Sequence, residues 1–198
     1  MKEKIILKSA HPEEYPDLVI ECKVIQNDKI GEYVASIPEE RKFYAYKKGS
    51  VAARPGVEGE TIKSTLTTVI DGKEYILDEE ENTVKKREYK GEEKTDIVVM
   101  NLESTSREQY IVKYQKFIET YIPKSSSEFV PVYEERALAQ VDENIIIITS
   151  WGAKALCLKG SYIVTYNEET NDYNTLEQGA FFKTYAKVEG KNRKKIHE

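Results

Sequence analysis

The clearest structural signal in this chain is the segment Thr61-Ile-Lys-Ser-Thr-Leu-Thr-Thr-Val-Ile-Asp-Gly-Lys-Glu-Tyr-Ile-Leu77. Its first ten residues are rich in Thr, Val and Ile, which favour an extended backbone. The dipeptide Asp71-Gly72 then suits a type I′ turn, because both central residues of that turn need positive φ angles. The sequence therefore predicts an antiparallel hairpin, with strands over 61–70 and 73–77.

The composition extends this signal to the whole chain of 198 residues. There are 19 Ile, 15 Val, 13 Thr, 14 Tyr, 5 Phe and 1 Trp residues, against 9 Leu, 11 Ala and 2 Met, and this balance favours sheet over a helical bundle. The net charge is only −5, which argues against disorder and against a surface built as a whole for nucleic acid. We expect a mainly β fold, all-β or β-dominated α+β, with short helical turns only.

Short motifs recur in the same order, which indicates an internal duplication. Asp96-Ile-Val-Val-Met-Asn101 resembles Tyr162-Ile-Val-Thr-Tyr-Asn167, and Phe117-Ile-Glu-Thr-Tyr121 resembles Phe181-Phe-Lys-Thr-Tyr185. We therefore expect two related small β units. The predicted division is an N-terminal extension with strands over 1–41, a first β unit over 42–122 with a hairpin insertion near 66–90, a linker over 123–127, a second β unit over 128–188 and a flexible charged tail over 189–198.

The segment before Tyr121 has two interpretations. Apolar and aromatic side chains recur at helical spacing between residues 107 and 121, which favours one helix. The matching region of the second copy contains Asp172-Tyr173-Asn174 and Gly179, which are poor residues for a long helix. We therefore expect a strand, a short turn of helix and a further strand.

The second copy resembles a known type of protein. Its segment Leu158-Lys-Gly-Ser-Tyr-Ile-Val164, followed by Phe181-Phe-Lys-Thr-Tyr185, is similar to small prophage-associated proteins of the PGDYG type. Their pattern is a Pro-Gly-Asp-Tyr turn, an aliphatic strand and a Phe-x-x-Thr-Tyr ending; here the turn reads Lys159-Gly160-Ser161-Tyr162, so Pro and Asp are both replaced. The resemblance implies a compact, mainly β unit of mobile-element origin, and it carries over no functional residue.

Few residues offer metal or cofactor chemistry. His11 and His197 belong to no HxxxH or Cys-His pattern, so we expect neither a metal site nor a His-based triad. Cys22 and Cys157 are expected as buried, reduced thiols, with a disulfide between them left open. The longest aliphatic run, Ile145 to Ile148, is far too short for a membrane helix. We expect a cytoplasmic protein with no cofactor and no membrane partner.

Paired carboxylates provide the one enzymatic hypothesis. Glu58 and Glu60 adjoin the turn Arg54-Pro55-Gly56, and two neighbouring carboxylates can support glycoside hydrolysis. Charged residues in loops are more often simply solvated. We therefore favour a non-catalytic protein and keep a carboxylate-dependent hydrolase, using Glu58 and Glu60, as an alternative.

Tyrosines concentrate in the repeat strands, where the ring can pack while the hydroxyl reaches water. The same residue type makes rigid contacts at protein interfaces. The leading hypothesis is a binding or interaction module that recognises a protein or small ligand through a Tyr-rich sheet face or a groove between the two copies. Its candidate binding residues are Trp151, Tyr166, Tyr162, Tyr114 and Arg54.

Local charge runs leave nucleotide or nucleic-acid binding as a further alternative. Asp78-Glu-Glu-Glu-Asn82, expected to form a loop, precedes the basic run Lys85-Lys86-Arg87, and the C-terminal tail carries more basic residues over 191–195. Basic side chains combined with tyrosine stacking bind phosphates and bases. The acidic net charge makes nucleic acid the less favoured partner; the oligomeric state stays open.

Overall fold

A computed structural model describes residues 1–103 and 108–189 of the chain. In those residues it forms eighteen strands, three α-helices and two 3₁₀ turns, so the expected mainly β fold is confirmed. No helix within this described part is long and apolar enough to cross a membrane. Almost all of the predicted tail lies outside the described residues.

Short strands and tight turns alternate along the chain, and each α-helix is only seven residues long. In chain order the strands are β1 (Lys2–Ser9), β2 (Leu18–Ile25), β3 (Lys42–Lys47), β4 (Val51–Pro55), β5 (Thr61–Ile70), β6 (Lys73–Thr83), β7 (Lys86–Tyr89), β8 (Glu92–Thr95), β9 (Ile97–Asn101), β10 (Gln109–Val112), β11 (Tyr121–Pro123), β12 (Glu128–Pro131), β13 (Glu135–Gln140), β14 (Ile145–Ile148), β15 (Lys154–Cys157), β16 (Tyr162–Asn167), β17 (Asp172–Leu176) and β18 (Tyr185–Lys187). The helices are α1 (Ile30–Ser36), α2 (Tyr114–Thr120) and α3 (Gln178–Thr184).

The chain divides into two compact units, each discontinuous in sequence. The larger unit consists of Met1–Tyr46, Thr68–Leu77 and the chain from Glu134 onward, and the smaller unit consists of Lys47–Thr67 and Asp78–Tyr133. The β5–β6 hairpin is therefore divided between the units: its turn and the adjoining residues, 68–77, belong to the larger unit, and residues 61–67 and 78–83 belong to the smaller one. The boundaries predicted above follow the repeat copies along the chain and stay a prediction.

The predicted Asp71-Gly72 hairpin is confirmed. Asp71 and Gly72 have φ angles of 51° and 76°, as a type I′ turn requires, and they join β5 to β6. Strand β6 continues to Thr83, so the prediction of an acidic loop over 78–82 is wrong. These exposed acidic residues remain extended because β5 is the neighbouring strand in the sheet, and such pairing overrides their low intrinsic β propensity.

The six-stranded sheet has the order β15-β14-β2-β1-β6-β5, of which the larger unit contains β1, β2, β14, β15 and the parts of β5 and β6 next to their turn. The larger unit also contains the five-stranded sheet with the order β17-β16-β13-β3-β18. Apolar side chains from both sheets and from α1 form the main core of this unit, among them Ile25, Ile30, Ile145, Ile147, Cys157 and Ile163. Cys22 and Cys157 are both free and buried, and burial raises the pKa of the Cys157 thiol to about 12.

The smaller unit contains a five-stranded sheet with the order β10-β9-β4-β12-β11 and a separate two-stranded ribbon, β7–β8. Its core is formed by Val51, Ile97, Val99, Phe117 and Tyr121. The succession β10, α2, β11 confirms the expected strand, short helix and strand before and at Tyr121. The segment predicted as a linker forms the turn between β11 and β12, where two amides donate to the Glu128 carbonyl at 2.8 and 3.0 Å.

The two five-stranded sheets have the same strand order when β10-β9-β4-β12-β11 is matched to β17-β16-β13-β3-β18. In both, a helix leads directly into an edge strand, and Thr120 and Thr184 each donate to the carbonyl four residues earlier at 2.7 Å. One strand of each sheet comes from the other half of the chain, since β3 pairs with β13 and β12 pairs with β4. The likeness is one of topology, and the duplication itself stays a prediction.

Candidate functional site

An open groove with a volume of about 400 Å³ lies within the smaller unit. Its walls come from four stretches of chain: the end of β6, the start of β7, the junction of β8 with β9, and the end of β10. Sheet and ribbon pairing bring these stretches together although they span more than thirty residues of sequence. We call this feature the basic groove, after the three cationic side chains in its lining.

Three cationic side chains line the basic groove: Lys85, Arg87 and Lys113. Lys85 directly precedes β7, and it lines the same groove as Arg87 of that strand. Arg87 is paired directly opposite Lys94, and like charges opposite each other destabilise a strand pair. Each of the two cations has a carboxylate partner, Asp96 for Arg87 and Glu92 for Lys94.

Asp96 anchors the basic wall of the groove. Its side chain is 2% exposed; one carboxylate oxygen accepts from Nε of Arg87 at 2.9 Å, and the other accepts from the backbone N–H of Lys85 at 3.0 Å. Its own amide donates to the Lys85 carbonyl at 2.9 Å. Because a buried carboxylate is stable only when it is paired and hydrogen-bonded, these contacts fix the positions of Lys85 and Arg87.

The backbone of Gly56 packs closely against the backbone of Asp96. The Gly56 amide donates to the Asp96 carbonyl at 2.8 Å. A Cβ atom at position 56 would lie 2.6 Å from the Val84 side chain and 2.8 Å from the Asp96 carbonyl oxygen. Only glycine fits there, so the 55–60 turn packs directly against the groove wall.

The same turn carries the residues of the enzymatic hypothesis. Arg54 donates to both oxygens of Glu60 at 2.7 and 3.0 Å, and the Val57 amide donates to Glu60 at 2.8 Å. The Arg54 hydrogen bond, followed by that from Val57, lowers the pKa of Glu60 to about 2. Glu58 is instead paired with Lys86 at 3.3 Å.

This geometry gives Glu58 and Glu60 structural partners and does not favour hydrolysis. A general acid in a glycosidase needs a raised pKa, whereas that of Glu60 is lowered. Arg54, a predicted binding residue, is engaged with Glu60 and with the carbonyl of Pro55. In the described part of the chain, neither glutamate belongs to the groove lining.

Three predicted binding residues lie in the larger unit. Tyr162 is 3% exposed and packs on Phe181 with ring centroids 4.6 Å apart, so its ring is in the core and unavailable to a partner. Tyr166 is 39% exposed, with the Arg136 guanidinium 4.6 Å from its ring centroid. Trp151, in the turn between β14 and β15, is 68% exposed.

Tyr114 lies in the smaller unit, next to the groove residue Lys113. Its ring meets Tyr89 edge-on at a centroid distance of 5.4 Å, and Nζ of Lys94 lies 5.5 Å from its centroid. Strand alternation places Tyr89 on the same face of β7 as Arg87. The basic face of the ribbon therefore continues into a pair of half-buried aromatic rings.

Sequence reasoning found two of the three groove cations and missed Lys113 and Asp96. It treated Lys85, Lys86 and Arg87 as one patch, whereas alternation along the strand turns Lys86 away to pair with Glu58. The signal for Asp96 was a carboxylate directly preceding the buried run Ile97-Val-Val. The basic residues predicted over 191–195 lie outside the described residues.

No protein-family model, curated protein or solved structure matches this chain. The resemblance to PGDYG-type proteins therefore stays a prediction.

Proposed function

We propose that the chain is a non-catalytic binding module whose smaller unit holds an anionic ligand in the basic groove. The observation that carries this proposal is the convergence of Lys85, Arg87 and Lys113 on one groove, in a chain whose net charge is −5. Positive charge concentrated in a concave site raises the local concentration of anions. The proposal joins the small-ligand hypothesis to the phosphate-binding alternative drawn from the basic run.

The support of the groove by Asp96 strengthens this proposal. Nε of Arg87 donates to Asp96, and among the described residues no group accepts from either terminal nitrogen of the guanidinium, which leaves both for a ligand. A planar guanidinium recognises oxyanions through two parallel hydrogen bonds. A cation whose orientation is fixed in advance loses less conformational entropy when the ligand binds.

The Tyr-rich face has less support as a binding surface. Tyr162 is buried and Tyr166 is covered on one side by Arg136, which leaves Trp151 as the most exposed of the predicted contact residues in the larger unit. The tyrosine excess is better explained by packing, as in the cores that contain Tyr121 and Tyr162. A partner that contacts Trp151 stays a prediction.

The groove can be tested by removing its two lysines together. We expect Lys85→Ala with Lys113→Ala to weaken the binding of inorganic phosphate at least about tenfold, because each hydrogen bond to a charged group contributes about 1.5–3 kcal/mol. Isothermal titration calorimetry at low ionic strength measures this effect, since salt screens exposed charges.

A matched control uses two other exposed lysines of the same unit. Lys48→Ala with Lys116→Ala changes the net charge equally outside the groove, and it should leave phosphate affinity nearly unchanged. Equal losses in the two double variants would show that phosphate senses only overall charge, and the proposal would then be wrong.

A further inference from the structure

We infer that the ligand of the basic groove is the phosphate monoester group of a small organic molecule, bound as its dianion. The inference rests on the anion-binding function proposed above and names the class of ligand. Three features of the groove support a phosphate monoester: its charge balance, the orientation of Arg87 and its size.

The charge balance of the groove matches a dianion. Lys86 pairs with Thr95, and Val112 pairs with Ile97, so the continued registers place Lys85 and Lys113 on either side of Asp96. The charge of Asp96 offsets that of Arg87, with which it is paired. Among the described residues neither lysine forms an ion pair, so two positive charges remain for the ligand.

Acidic residues at the groove do not cancel this charge. Glu81 lines the groove but lies 3.9 Å from Nζ of Lys63, a cation on the neighbouring strand β5. On the ribbon, Lys94 is paired with Glu92 at 3.0 Å. The two carboxylates of the groove lining, Asp96 and Glu81, therefore each have a cation as partner, and the two lysines beside Asp96 are in excess.

The exposed edge of Arg87 fits a tetrahedral oxyanion. Its side chain is 41% exposed and Nε is bound to Asp96, so the two terminal nitrogens form an edge that no residue of the described ranges 1–103 and 108–189 occupies. Such an edge contacts two oxygens of one phosphate, while lysines act as point charges on the others. A single carboxylate would use the arginine edge but would leave one lysine charge without a counter-charge.

The size and lining of the groove favour a small organic molecule over a polyanion. Its volume of about 400 Å³ falls within the range of about 300–1,000 Å³ typical of small-molecule sites. Ile111 gives an apolar contact, and Asn82 and Thr83 give neutral hydrogen-bonding groups.

The test compares phenyl phosphate with phenyl sulfate on the full-length chain. The two probes share the same ring, but only the phosphate gains a second charge as the pH rises, with a pKa of about 6. We expect phenyl phosphate to bind about tenfold more tightly at pH 7.5 than at pH 5.0, in proportion to its dianionic fraction. Phenyl sulfate, which keeps one charge, should bind equally at both pH values and reports any titration of groove residues.

The outcomes separate the inference from the proposed function. The inference is supported if phenyl phosphate shows the pH dependence, phenyl sulfate does not, and Lys85→Ala with Lys113→Ala removes the difference. Equal, pH-independent binding of both probes would overturn the phosphate inference and leave anion binding intact. Binding of neither probe would overturn both. An oligonucleotide that displaces phenyl phosphate at lower concentration would overturn the small-molecule assignment.

Discussion

At the scale of single residues, Glu60 shows how neighbouring groups set the charge of a side chain. Arg54 binds both of its oxygens and the Val57 amide binds one, which lowers the Glu60 pKa from 4.5 to about 2. Because the folded-state pKa lies below the unfolded value, this interaction stabilises the fold above about pH 4.5. The stabilisation is lost progressively as the pH falls toward 2.

Removing Arg54 should reverse this perturbation. We expect Arg54→Ala to raise the pKa of Glu60 from about 2 toward 4.5, because the Arg54 hydrogen bond is the largest cause of the shift. NMR titration of the glutamate carboxyl carbons measures this change directly. Glu128, whose pKa is lowered mainly by Lys124, should keep its value and serves as the internal control. A Glu60 pKa that stays near 2 in the variant would contradict the assignment.

At the scale of elements, Asp96 marks the point where the chain passes from the ribbon into the sheet. Strand β8 ends at Thr95 and β9 begins at Ile97, so the buried carboxylate sits between two pairing systems. Its hydrogen bonds with Lys85 and Arg87 connect β7, and the residue before it, to this junction. The groove therefore depends on the junction between β8 and β9, and the stability of the fold should depend on Asp96 at that junction.

Substitution of Asp96 should destabilise the fold substantially. We expect Asp96→Ala to lower the free energy of unfolding by about 2–4 kcal/mol, because two hydrogen bonds to a buried charge are lost and Arg87 is left without its partner. Urea denaturation measures the loss. Glu58→Ala, which removes an exposed partner of Lys86, should change stability by no more than about 0.5 kcal/mol. Equal effects of the two substitutions would remove the structural role assigned to Asp96.

The elements with local signals could be predicted from the sequence, and those defined by distant pairing could not. Asp71-Gly72 specifies its hairpin through the φ angles of two adjacent residues. The acidic stretch over 78–82 was misassigned because its strand character comes from β5 rather than from its own residues. The groove was missed as a whole because Lys113 reaches it only through the pairing of β10 with β9.

The repeat motifs show a similar limit. Their match along the sequence aligns Ile97 with Ile163, but the buried partners of Phe117 include Ile97, and those of Phe181 include Tyr162. The face that packs against the helix is therefore displaced by one residue between the two sheets. Side chains along a strand point alternately to its two faces, so a shift of one residue exchanges those faces. A motif match alone therefore cannot decide which side chains face the core.

At the scale of the whole molecule, each five-stranded sheet needs both halves of the chain. Strand β3 joins the sheet formed by β13, β16, β17 and β18, and β12 joins the sheet formed by β4, β9, β10 and β11. Contacts between residues distant in sequence therefore hold each sheet together. The smaller unit that carries the groove is completed by a strand that follows the groove residues in the chain.

Charge is also distributed unevenly over the molecule. Acidic residues exceed basic ones by five in the full sequence, yet the groove collects three cations. The cations that line the groove attract anions, and this attraction weakens as salt shortens the range of electrostatic forces. Anions should therefore bind at the groove of the smaller unit.

Amide NMR of the full-length chain, titrated with phenyl phosphate at pH 7.5 and low salt, tests this location most directly. We expect the amides of Lys85, Arg87, Asp96 and Lys113 to shift together along one saturating curve, while those around Trp151 stay unchanged. Shifts that do not saturate, or that are largest in the larger unit, would contradict this expectation.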